Sequence, residues 1–106
     1  MIATVMIKDI AWDFKLLDHE EFVKKFDETS AACTNVLTKT VVFDRKYLSK
    51  GLIAHELLHV YVFSCCVYSA DTIKSHDIEE ICAEILEYHL DAIVKHRNSL
   101  WKELNK

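Results

Sequence analysis

The chain has 106 residues, a formal charge of −4 from thirteen basic and seventeen acidic side chains, and a hydrophobic content of 51%. That length fits one domain over residues 1–106 with nothing left for a separate substrate-binding domain, and the composition excludes a disordered or low-complexity chain. One glycine and no proline exclude collagen-like and linker-like chains, leaving Asn, Asp and Ser to turn the backbone between elements in which helices dominate.

The acidic balance argues against nucleic acid as a partner, because such binding relies on clustered Lys and Arg to neutralise phosphates. The most basic stretches, residues 39–50 and 95–106, are interleaved with apolar and acidic residues and read as solvated faces. Cys33, Cys65, Cys66 and Cys82 form no CxxC pair and read as reduced core thiols. The first residues lack a basic region and a long apolar run, so no signal peptide is expected and the location is expected to be cytoplasmic. Residues 51–70 are apolar enough to suggest a membrane span, but His55, Glu56 and His59 interrupt them and ionisable groups are costly in lipid.

Along the chain, the β-branched run Thr4 to Lys8 precedes Trp12, Phe14 and Leu16, which alternate with Asp13 and Lys15. This period of two predicts a hairpin. Asp18 with Glu21 has the form of a capping box, and Phe22, Val23 and Phe26 then supply an apolar stripe, so a short helix is expected to about Glu28. Thr40 to Phe43 reads as a strand with a partner around Ala32 to Leu37. From about Ser49 the apolar residues occupy nearly every helical direction, predicting a central helix. Ser64 to Lys74 reads as a looser connection. A last helix, starting at Ser75 or Asp77 and running to about Leu104, carries Ile78, Ile81, Ile85 and Ile93 at helical spacing. The expected architecture is α+β, a small sheet packed against two long helices and one short one.

The central helix contains His55-Glu56-Leu57-Leu58-His59, a match to HExxH. Residues four apart sit one turn above each other with Cβ atoms roughly 5–6 Å apart, so two imidazoles can converge on one ion. Glu56 projects about 100° around the helix from His55 and can reach a water beside the metal without occupying it. Zinc (Zn2+) is the expected ion, because imidazole and carboxylate ligands in tetrahedral geometry with one open position are its usual catalytic arrangement. Glu56 is then the expected general base, with a peptide or protein as substrate. The opposing reading is that His55 and His59 are core histidines bonded to backbone and Glu56 pairs with a surface lysine.

A third ligand is needed. The metzincin pattern would place Gly and His where Val62 and Cys65 stand, which disfavours that class. Carboxylates follow about twenty residues after His59, at Glu79, Glu80 and Glu84. At this point the chain resembles the zincin metallopeptidases, and more narrowly the short single-domain gluzincin-type proteins common among phage and prophage genes. The resemblance runs from about Thr40 to Tyr88: a strand, the HELLH helix, then a helix with Glu-x-x-Ala-Glu. It implies a zincin-like fold and zinc-dependent peptide hydrolysis, with His55, His59 and Glu80 as zinc ligands, Glu56 as base and Glu84 orienting an imidazole.

Glu80 also fits a capping box with Asp77, and Glu79 lies nearer the apolar stripe at the spacing that thermolysin-like gluzincins use. His76 is a further candidate by similarity to SprT-like zincins, although their spacing differs. Tyr61 reads as core, and Tyr61 or Tyr68 could serve an oxyanion. Cys65 and Cys66 read as packing, and His19, His89 and His96 as ordinary surface or satisfied histidines. Two rival expectations stand beside the hydrolase: a zincin-fold binding or regulatory module with little turnover, and a structural protein with no metal.

Overall fold

The computed structural model describes residues 2–65 and 75–106, with side chains for residues 2–64 and 80–106. Strands β1 (Ile2–Ile7) and β2 (Ile10–Leu17) form an antiparallel hairpin in which Ile7 faces Ile10. Lys8 and Asp9 turn it with φ of 49° and 67°, the left-handed pair that a two-residue hairpin loop requires and that Gly and Asn usually fill. On β2, Trp12, Phe14 and Leu16 are buried while the residues between them are half-buried, as the period of two predicts.

Helix α1 (His19–Lys25) starts at Asp18, but the Asp18 side chain makes no cap hydrogen bond. Its carboxylate instead accepts from Arg45 Nε at 2.9 Å. A charged donor competes for the oxygen that a capping box would offer to backbone N–H groups, so that box corrects to an ion pair although the helix begins where expected. Phe22 is buried and its ring lies 4.7 Å from that of Phe26.

Strand β3 (Ala32–Asn35) pairs antiparallel with β4 (Thr40–Asp44). The turn between them uses Asn35, whose side-chain oxygen accepts from Leu37 N and Thr38 N, an Asx turn standing in for glycine. Strand β4 lies parallel to β2, giving the order β1-β2-β4-β3 and leaving β3 at an edge. The parallel pair follows from β3, which begins at the end of the sheet where β2 finishes, runs antiparallel back to the starting end, and so lets β4 run in the direction of β2.

Helices α2 (Lys50–Cys65) and α3 (Ser75–Leu104) complete an α+β domain, with four strands and three α-helices among the described residues. One core joins Phe14, Val41 and Phe43 of the sheet to Ile53, Leu57 and Val60 of α2 and to Ile85, Ile93 and Leu100 of α3. Both long helices therefore cover the same sheet face. Val42, alternating with Val41 and Phe43, is buried on the other face, where α1 meets β4. Among the described residues no helix is long and apolar enough to cross a membrane.

Candidate metal centre

Helix α2 is started by Ser49, whose hydroxyl accepts from Leu52 N at 3.0 Å and whose carbonyl accepts from Ile53 N. Burying Ile53, Leu57, Val60 and Tyr61 against the core fixes the rotation of the helix, although its sequence is apolar nearly all round. The consequence is that His55 and His59 face outward, both exposed, while Glu56 is turned inward to 6% exposure. The helix is central, but it keeps an open face.

The two imidazoles converge. Their Nε2 atoms are 3.2 Å apart, with ring centroids at 4.9 Å and planes at 73°. Two nitrogens at about 2.0–2.1 Å from a tetrahedral ion lie about 3.3–3.4 Å apart, so the pair has the span such an ion needs. One atom from each of His55, Glu56 and His59 falls within a 4.8 Å cluster.

Glu56 is held from the sheet. Thr34 Oγ1 on edge strand β3 donates to Glu56 Oε2 at 2.5 Å. A buried carboxylate with no such donor would be costly, and this bond fixes both its depth and its rotation. Next along β3, burial pushes the Cys33 thiol above its ordinary 9.0, helped by the negative charges of Glu56 and then Asp27. Thr34 was missing from the sequence reading because one threonine in a short strand carries no motif; only the β3 register brings it to Glu56.

A groove of about 600 Å³ opens beside this cluster. One wall is the start of β3, at Ser30, Ala31 and Ala32. The other is Tyr47 with the first turn of α2, at Ser49, Gly51 and Leu52, and the groove ends on His55 and Glu56.

The remaining candidates stand apart. Glu80 and Glu84 are exposed on α3 and neither joins the cluster. The reason lies in how the helices pack. Tyr61, whose ring meets that of His89 on α3 at 5.5 Å, is about 200° around α2 from His59. Glu80 is a further nine residues from His89, about 13.5 Å along the helix axis. The side chains of His76, Glu79, Cys65, Cys66 and Tyr68 lie outside the described residues. Tyr61 is buried in the core as expected. His19 is satisfied, its Nδ1 lying 2.6 Å from Oδ2 of the fully buried Asp44, while His89 and His96 are half-buried.

No family model matches this chain, and no curated protein or solved structure proves similar to it.

Proposed function

We propose that the chain is a zinc-dependent peptide hydrolase in which His55 and His59 hold the ion and Glu56 is the general base. The observation that carries this reading is the pairing of two converging imidazoles, 3.2 Å apart, with a buried carboxylate fixed beside them by Thr34. Zinc bound there would acidify water and polarise the substrate carbonyl. Thr34 engages Oε2 of Glu56 and leaves Oε1 to take the proton of the attacking water. As water adds to the carbonyl carbon and the C–N bond breaks, Glu56 returns that proton to the departing amine nitrogen.

The edge strand supports a peptide as substrate. Asp44 N donates to Ala31 O, so the antiparallel ladder turns residues 31, 33 and 35 toward β4. The N–H and C=O groups of Ala32 and Thr34 therefore point to the open edge, where an extended peptide could add as a further strand beside Glu56. Cys33 and Cys82 are free thiols, which supports a reducing compartment such as the cytoplasm.

A second reading is a metal-holding binding module with little turnover. It is favoured by the exposure of both histidines and by a cluster that does not include Glu80, since a catalytic zinc usually has three protein ligands. One experiment separates the two. Zinc content and peptide cleavage are measured for the wild type and for Glu56→Gln. Stoichiometric zinc in both with cleavage only in the wild type supports the hydrolase, zinc without cleavage in either supports the module, and absence of zinc from both defeats both readings.

A further inference from the structure

Among the described strands, β1 ends the sheet on the side opposite β3, and nothing in its sequence guards that edge. Ile2–Ile7 holds no charged residue and no proline, the devices that ordinarily stop an edge strand from pairing with another chain. Residues flanking a two-residue loop exchange both backbone hydrogen bonds, so Ile7, and with it Val5 and Ala3, bonds to β2. The N–H and C=O groups of Ile2, Thr4 and Met6 are left facing the open edge.

The side chains around this edge put apolar surface into water. Ile2 and Met6 are 61% and 58% exposed on the outer sheet face, while Ala3 and Val5, which alternate with them, pack on the core. On that inner face α3 rests on β1 and β2, and α2 reaches β3. His89 marks the side of α3 that meets α2. At 100° per residue the buried Ile93 is about 40° around from His89, Leu86 about 60° and Leu90 about 100°, all in one sense. Leu86 and Leu90, 57% and 46% exposed, therefore lie on the side of α3 away from α2, toward the β1 edge.

Charge says which partner fits. Along α3 the exposed acids Glu80, Glu84, Glu87 and Asp91 precede the bases Lys95, Arg97 and Lys102, and the later Glu103 is paired with Lys106 at 3.4 Å. The helix dipole acts within the first and last turns and does not account for charges as far in as Asp91 and Lys95. A helix of this pattern laid antiparallel on a copy of itself sets its acidic half against a basic half.

We propose that β1 is a self-association edge: two copies of the chain join by antiparallel pairing of their β1 strands about Thr4, with the two α3 helices antiparallel across the seam. In that register Ile2 of each copy meets Met6 of the other and Thr4 meets its own counterpart, so no charge enters the ladder. Neighbouring strands stand about 4.8 Å apart, so helices seated over β1 and β2 of each copy come about 10 Å apart, a distance at which helices pack. The seam leaves β3 and the metal centre open and does not depend on the hydrolase reading.

The test is sedimentation equilibrium of the full chain at micromolar concentrations, where a dimer is expected. Thr4→Pro removes an N–H that points to the open edge, a loss the β1–β2 ladder does not feel, and gives a monomer of unchanged helical content. Ile2→Lys combined with Met6→Lys sets like charges opposite each other in the seam, does the same, and serves if the proline variant does not fold. Leu86→Gln combined with Leu90→Gln weakens the dimer by about tenfold or more, through the apolar burial it removes. Directly paired antiparallel residues stand about 5.5 Å apart, within the span of a disulfide, so oxidised Thr4→Cys carries a cross-link between position 4 of the two copies, located by peptide mass spectrometry. A chain that is monomeric throughout, a dimer that persists in both β1 variants or ignores the paired leucine changes, or a dimer in which Thr4→Cys forms no such cross-link overturns the proposal.

Discussion

Thr34 on the edge strand and Glu56 on the central helix are joined by a 2.5 Å hydrogen bond, so the proposed base is aimed by the sheet rather than by its own helix. Hydrogen bonds to charged groups contribute about 1.5–3 kcal/mol. Thr34→Val is therefore expected to lower kcat by about tenfold or more with KM nearly unchanged, because the substituted methyl fills the same space but cannot orient Oε2. Thr34→Ser keeps the hydroxyl and should retain most of the activity. Steady-state kinetics of the two variants decide this, and equal activity of the valine variant and the wild type would remove Thr34 from the mechanism.

The metal prediction follows from the convergence of His55 and His59. His55→Ala and His59→Ala should each lose stoichiometric zinc by elemental analysis, and a chelator should lower the thermal midpoint of the wild type but not of either variant. Glu80→Gln should leave zinc affinity within about threefold of wild type, the scale of an exposed charge, because Glu80 is exposed and outside the cluster. A loss well beyond that would make Glu80 the third ligand, as the zincin resemblance implies.

The elements were legible wherever a period was. Trp12, Phe14 and Leu16 announce β2 by alternation, and Ser75 to Leu104 announces α3 by its apolar stripe. HExxH likewise announces two converging rings, since one helical turn fixes their separation. The partners that come from elsewhere in the chain were not legible. The bond from Thr34 to Glu56 depends on the register of β3 against β4, and the position of Glu80 depends on which side of α2 receives α3. Neither leaves a local pattern. The rotation of α2 was similarly hidden, because a helix apolar in nearly every direction does not declare which residues, here His55, His59 and Leu58, it will expose.

Acid should weaken the fold through His96. Burial lowers its basicity below the ordinary 6.5, and the neighbouring Lys95 charge lowers it further. The unfolded chain therefore binds a proton at a pH where the folded chain does not, so stability is fully present above about 6.5 and declines as pH falls toward the folded-state value. Thermal midpoints of metal-free protein between pH 7.5 and 5 should fall for the wild type and fall less for His96→Gln. Parallel curves for the two proteins would assign the acid sensitivity elsewhere.

Cys33 offers a test of the Glu56 environment that needs neither metal nor substrate. Its thiol is pushed up first by burial and then by the charges of Glu56 and Asp27, and only the thiolate is alkylated. In metal-free protein, the rate of iodoacetamide modification of Cys33, followed by peptide mass spectrometry, should therefore rise with pH later than for an exposed thiol. Glu56→Gln removes the larger of the two charges and should move the profile toward lower pH. Burial is untouched by that change, so the profile should stop short of that of an exposed thiol. An unchanged profile in Glu56→Gln would mean that the carboxylate is not held close to β3, and the hydrogen bond from Thr34 that aims the proposed base would fall with it.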